Sequence, residues 1–379
     1  MSNQIVNIIP FYKKLNKYEI SCVLFDRCNL KCKFCFEEGM RDNSIDLDYI
    51  KSIPDVLFEN FQKEVKAHQL SISFVNIMFW GGELFFDGLK DDVFECYYYL
   101  IDTLMDRFSV YPTIQLQFSW LSNGVFTKRD RVEKLMQYHP NCVLGFSYDP
   151  VHRFSSKKQK TIMLDNASYF VSKGICDKIS ITLTKPNIKA FLNDNSDLVF
   201  FKDLGVDVDV NYYIANPNWT YYQPDDELIY HFYKMCIDNR LFNVVTLEKC
   251  FWVFLNTRVD KHCDCNQCSQ ITKGLWSTDC AKRSSCLPKD LFYGKLTCCI
   301  DESNSNEVKA TLGIQKRGCL LCKYYKRCQM PCWISVIFQH YQTTQCPYYR
   351  ITQLIENDPN LLKQYIEDRK SIRLSDIQL

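Results

Sequence analysis

Six β-rich runs alternate with helical stretches over the first 235 residues, and beyond them the cysteines crowd together. These two observations predict an α/β protein: a partial (β/α)6 barrel of the TIM type followed by a cysteine-rich C-terminal region. A third observation locates the working end. Three cysteines stand directly after the first run, at the carboxyl end of a strand, where such barrels carry their sites. The rhythm lapses near residue 240, which divides the chain into a barrel over 1–240 and a cysteine-rich domain over 241–379.

The first strand is expected over residues 18–25, an apolar run. A helical stretch over 46–68 leads to the second strand, 72–80, and another over 90–108 leads to the third, 113–121. The helix 129–138 precedes strand 142–148, and the helix 156–172 precedes strands 178–184 and 206–214. Strands separated by helices pair in parallel, and right-handed crossovers curl such a sheet toward a barrel. From 236 to 274 no βα rhythm is visible. Residues 351–369 read as a charged amphipathic helix suited to packing.

The 379 residues are enough to bury a substantial core, and the net charge of +2 excludes a general attraction to nucleic acid or to an acidic membrane. No run of 18 apolar residues is present, and the first 14 lack the character of a signal peptide, so a cytoplasmic protein is expected. Of 21 cysteines, eleven lie between Cys263 and Cys332, with Cys346 close behind. Without an export signal that usage favours metal or redox sites over disulfides.

The segment Cys28-Asn29-Leu30-Lys31-Cys32-Lys33-Phe34-Cys35 places three thiols in eight residues. Three thiolates can hold one face of a four-iron cube and leave one iron without a protein bond, a position open to chemistry. A zinc knuckle is the competing reading of the same thiols. After the second strand, Phe79-Trp80-Gly81-Gly82-Glu83 joins paired glycines, which permit close approach of a ligand, to a carboxylate that can take an ammonium. By itself such a triplet is a common turn.

The C-x3-C-x2-C spacing resembles the signature of the radical S-adenosylmethionine (SAM) enzymes. The resemblance implies that the open iron chelates SAM, and that the reduced cluster cleaves it to methionine and a 5′-deoxyadenosyl radical. Gly81, Gly82 and Glu83 resemble the family's GGE motif, which holds the SAM amino group. Phe34 matches the aromatic position near the adenine. Ser122-Asn123-Gly124 is similar to the family's Thr-Asn-Gly turn, which puts Asn123 near the cofactor. Ser147-Tyr148-Asp149-Pro150 with Arg153 resembles the Ser-x-Asp-Gly segment, whose serine and later arginine approach the ribose and carboxylate of SAM. Pro150 replaces the glycine here.

Further on, Cys280-x5-Cys286 precedes Gly294-x4-Cys299, then Cys319-x2-Cys322-x5-Cys328-x3-Cys332, and finally Cys346. This array resembles the SPASM domain, which carries two auxiliary [4Fe-4S] clusters, so three clusters are implied in all. Carried over by position, the first auxiliary cluster takes Cys280, Cys286, Cys299 and Cys332, and the second takes Cys319, Cys322, Cys328 and Cys346. Either Cys280 or Cys286 opens the motif, and Cys298 is a second candidate for the place of Cys299. Cys263, Cys265 and Cys268 fit no assignable spacing.

The resemblance spans roughly residues 18–350. It implies a maturase that acts on a ribosomally made precursor peptide or a protein substrate by crosslinking or other C–H modification. It also implies a reductant such as flavodoxin or ferredoxin. The 27 residues before Cys28 leave no room for a winged-helix leader-recognition domain, so a leader would be held by the barrel and SPASM surfaces or by a separate leader-binding protein. Formylglycine formation, the sulfatase-maturing reaction, ranks second because Ile300 separates Cys299 from Asp301. A non-catalytic iron–sulfur or zinc scaffold is the alternative of another class.

Overall fold

A computed structural model describes residues 17–35, 44–68, 72–212, 221–222, 224–254, 268–272, 275–277, 322–324 and 346–376. Six parallel strands lie side by side in chain order: β1 (Lys17–Val23), β2 (Phe74–Trp80), β3 (Gln115–Ser122), β4 (Cys142–Ser147), β5 (Cys176–Leu183) and β6 (Asp207–Tyr212). Helices α1 (Leu47–His68), α2 (Asp91–Phe108), α3 (Arg129–Tyr138) and α4 (Lys157–Ser172) connect the first five, and α5 (Lys185–Asn193) with α6 (Ser196–Asp203) lead into β6. These strands, and the four helices read from periodicity, fall within about two residues of their expected places. The result is the half-barrel that alternating βα units dictate.

The core lies between the outer face of the sheet and the helices. Ile20, Ile77, Phe79, Phe118, Trp120, Leu144, Phe146 and Ile179 are buried there against Leu57, Phe61, Tyr97, Leu100, Met163 and Phe170. Side chains alternate across a strand, so the intervening positions project to the inner face. Three caps set helix starts: Ser156 accepts from Gln159 N, Thr184 from Asn187 N, and Asp225 from Leu228 N at the head of α7 (Asp226–Asp238).

Past residue 240 the structure has order that periodicity did not disclose. Helix α8 (Val245–Trp252) follows α7, and β7 (Cys268–Thr272) joins the sheet in parallel beside β1, with β8 (Leu275–Ser277) antiparallel to it. The stretch Cys-Ser-Gln-Ile-Thr of β7 has no alternation of apolar residues to announce a strand. Its pairing comes from the unpaired backbone edge that β1 offers.

The helix expected over 351–369 is two helices, α9 (Pro347–Asn357) and α10 (Pro359–Asp376). Pro359 excludes the helical conformation for the residue before it, and Asp358 sits at φ −127°, ψ 91°. Both helices pack. Tyr348, Ile351 and Ile355 of α9 are buried, and the Tyr365 ring of α10 stacks on Phe251 at 4.4 Å. Arg369 is buried between Asp207 at the start of β6 (2.6 Å) and Glu248 of α8 (2.5 Å). Among the described residues no helix is long and apolar enough to cross a membrane.

Candidate active site

The carboxyl ends of the strands gather the candidate residues, beginning at β1. The ladder between β1 and β2 runs on past Val23: Leu24 N donates to Trp80 O (2.9 Å), Gly82 N to Phe25 O (2.8 Å) and Glu83 N to Arg27 O (2.8 Å). The segment just before Cys28 is thereby bound to the Gly-Gly-Glu turn. A Cβ on Gly81, at φ +149°, would lie 2.2 Å from Phe25 O, and one on Gly82 would lie 2.1 Å from Arg27 O. The space that the glycines free is filled by the chain's own backbone. The turn therefore sets where the cysteine loop leaves the sheet.

Glu83 is buried, with three donors on its carboxylate. Oε1 accepts from Ser122 Oγ (2.7 Å) and Phe85 N (3.0 Å), and Oε2 accepts from Asn123 N (2.5 Å). A carboxylate has about four acceptor positions, so about one is left. Burial pushes its pKa up to about 7, against the pull of these donors and of Arg153. An acid raised on folding stabilises the fold at low pH, and that contribution is lost as pH rises through the folded value. In the metal-free protein, stability relative to Glu83→Gln should therefore fall by about 3 kcal/mol from below about pH 4.5 to above about 7. Denaturant titrations across that range would measure it, and a constant difference would refute the raised carboxyl.

Asn123, next along, reaches the cysteine loop. Its Nδ2 donates to Asn29 Oδ1 (2.8 Å) and stands 3.8 Å from Cys28 Sγ, while Asn29 Nδ2 donates to Val125 O (2.7 Å). Leu30 N also points at Cys28 Sγ (3.4 Å). Asn29 escaped the sequence reading, although a polar residue between two motif cysteines was the available signal.

The loop after β4 closes the other side. Lys33 N donates to His152 O (3.3 Å), and Cys32 Sγ lies 3.9 Å from Arg153 O. The Arg153 guanidinium is held by Asp149 through Nε (2.6 Å) and Nη2 (2.5 Å) and stands 5.5 Å from the centre of the Phe34 ring. The other oxygen of Asp149 accepts from Thr182 N (2.8 Å) and from Asn187 Nδ2 (2.8 Å). All of its acceptor positions are filled from within the chain. Asp149 is thus placed to orient Arg153. Burial opposes the charge on Arg153, but Asp149, Cys32 and Cys35 outweigh it and raise its pKa.

Ser147 ends β4 on the inner face. Tyr222 was missed altogether: its ring meets Phe34 edge-on at 6.4 Å and His152 at 5.8 Å. Nothing local in the sequence marks it, because it reaches the site from beyond β6. Cys28 and Cys35 are partly exposed and Cys32 is buried. Among the described residues no three His, Cys, Asp or Glu side chains could share a single metal ion. The loop's donor set is soft thiols with amide donors and a guanidinium beside them, which favours thiolate and suits a multi-iron cluster.

No family model matches the sequence, and no curated protein matches it. Solved structures do. The chain resembles anSMEcpe with bound AdoMet and Kp18Cys peptide, at 13% identity and a TM-score of 0.61, covering 92% of this chain and 99% of that one. The complex of anSMEcpe with AdoMet and Cp18Cys peptide gives 14% identity, a TM-score of 0.57 and the same coverage. Streptococcus suis SuiB bound to S-adenosylmethionine gives 15% identity and a TM-score of 0.50, covering 87% of this chain and 77% of that one. The chain has the fold of the SPASM radical SAM enzymes.

In that fold two of the described C-terminal cysteines, Cys322 and Cys346, fall at one helix. Cys346 stands at the head of α9, and Lys323 and Tyr324, next to Cys322, bond to Glu356 of the same helix. The Tyr324 and Tyr349 rings lie 5.5 Å apart. Cys263, Cys265, Cys280, Cys286, Cys298, Cys299, Cys319, Cys328 and Cys332 lie outside the described residues.

Proposed function

We propose that this chain is a radical SAM enzyme that abstracts hydrogen from a residue of a ribosomally made precursor peptide and leaves a crosslink or other C–H modification. The observation that carries the reading is the double clamp on the three-thiol loop, by the Gly81–Gly82 turn on one side and the His152 carbonyl on the other. Cys28, Cys32 and Cys35 would hold the catalytic [4Fe-4S] cluster. A cluster bound there would supply, when reduced, the electron for reductive cleavage of SAM.

The chain's own residues position the cofactor. Glu83 has about one acceptor position for the SAM ammonium, and the Gly81–Gly82 backbone lies beside it. Arg153, kept cationic by Asp149, would take the carboxylate; Phe34 would lie against the adenine, Ser147 near the ribose, and Asn123 between Cys28 and the cofactor. Residues 1–240 would form the catalytic barrel and 241–379 the SPASM domain, with two auxiliary clusters on Cys280, Cys286, Cys299 and Cys332 and on Cys319, Cys322, Cys328 and Cys346. A cytoplasmic setting with flavodoxin or ferredoxin as reductant suits thiolate clusters.

Anaerobic reconstitution tests the reading. A brown protein that releases 5′-deoxyadenosine with dithionite is expected; a colourless zinc protein that leaves SAM intact would point to a scaffold. Cys322→Ala should then remove about four irons and most peptide turnover while SAM cleavage without peptide persists. Unchanged iron would remove Cys322 from the ligand set. Formylglycine formation, the sulfatase-maturing reaction, is the second reading. An aldehyde-reactive probe on a cysteine-bearing sulfatase peptide would detect it.

A further inference from the structure

On the inner face of the half-barrel one register row carries three polar residues. Ser147 of β4 pairs with Ser180 of β5, and Ser180 pairs with Asp209 of β6. Paired residues of parallel strands project to the same face. That face is turned away from the helices, since Phe146, Ile179, Ile181, Val208 and Val210 at the alternate positions are buried on the other side. Ser122 pairs with Phe146, so the next step along puts Asn123 beside Ser147. The row therefore runs from the Glu83–Asn123 cluster around the wall to Asp209.

Two of its members have no side-chain partner among the described residues and stay open to solvent. Ser180 is 9% exposed, yet its hydroxyl makes no hydrogen bond among the described residues. Asp209 is half-buried and has no ion-pair partner among them. Of the charges in the row below, only Asp207 has an ion-pair partner among the described residues. Asp207 is held by Arg369, and the Lys178 side chain runs over Gly145, away from β6, with its Cγ and Cε 3.3 Å from where a Gly145 Cβ would stand. Neither side chain has an oxygen that is both buried and unpartnered, so both face the open inner wall, where a ligand can take the place of water.

We propose that Ser180 and Asp209 form the subsite for the target side chain of the peptide, and that they select a basic one. The Ser180 hydroxyl accepts a hydrogen bond from the incoming cation, and Asp209 supplies the opposite charge. The proposal rests on the radical SAM reading and adds a substrate class to it. Both residues lie on strands, so the subsite is as rigid as the barrel wall.

The test uses the reconstituted holoenzyme and three capped pentapeptides that differ only in a central lysine, norleucine or glutamate. Calorimetric titration in the presence of SAM reads peptide affinity, and a separate titration reads SAM affinity. The lysine peptide should bind at least about tenfold more tightly than the glutamate peptide, the scale of one charge-assisted hydrogen bond. Asp209→Asn, which keeps shape and removes charge, should abolish that preference, and Ser180→Ala should weaken the lysine peptide alone. Equal binding by the parent enzyme, or a preference surviving in Asp209→Asn, would overturn the subsite. So would a loss of SAM affinity in either variant, which would put these residues in the cofactor pocket. Failure of the parent to bind SAM at all would overturn the reading beneath the proposal.

Discussion

Gly82→Ala is expected to cost the protein about four of some twelve irons and to reduce SAM cleavage by about a hundredfold or more. The new Cβ would stand 2.1 Å from Arg27 O and 2.5 Å from Asp26 O, and both obstacles are backbone. No rotamer change relieves a collision of that kind, so the segment that carries Cys28 must move or the turn must open. Either response breaks the Gly82 N to Phe25 O and Glu83 N to Arg27 O bonds and misplaces the first thiol relative to Asn123. Gly174→Ala provides the contrast. Its φ of +69° is unfavourable for alanine, but nothing lies within 4 Å of the added carbon. That variant should lose about 1–2 kcal/mol of stability and keep its iron. Iron analysis and 5′-deoxyadenosine yield on the two proteins would decide, and full iron in Gly82→Ala would refute the clamp.

Replacing Cys28, Cys32 and Cys35 together with Ala should abolish SAM cleavage and leave about eight irons of about twelve. The variant should still fold. Cys32 is the buried thiol of the three, and the charge beside it, Arg153, remains paired with Asp149 at 2.5 Å when the thiols are gone. Its thermal transition should therefore stay close to that of the metal-free parent. Retained 5′-deoxyadenosine production in this triple variant would remove the loop from the catalytic assignment.

What could be read in the sequence and what could not divide along one physical line. The alternation of β1 to β6 with α1 to α4 is a matter of local periodicity, and periodicity is set by nearest neighbours along the chain. The positions of Cys28, Cys32, Cys35 and of Gly81–Glu83 at strand ends follow from the same local signals. The break at Asp358 was also written locally, in Pro359, but the apolar pattern across it read as one helix.

The roles inside the site needed contacts between residues far apart in sequence. Glycines before a carboxylate read as room for a ligand; the fold puts Phe25–Arg27 in that room. Asp149 read as a cofactor contact; the fold fills its four acceptor positions from Arg153, Thr182 and Asn187. The strand β7 exists because β1 has an open edge, and Tyr222 meets Phe34 because the end of β6 lies across the barrel from the cysteine loop. The chain by itself determined β1 to β6 and α1 to α4, their order and the thiol loop after the first strand. Tertiary structure decided strand register, and with it which buried acceptors are filled, as on Asp149, and which polar side chains, like Ser180 and Asp209, face the open inner wall. Register depends on pairings between distant segments, which the alternation within each strand restricts without fixing.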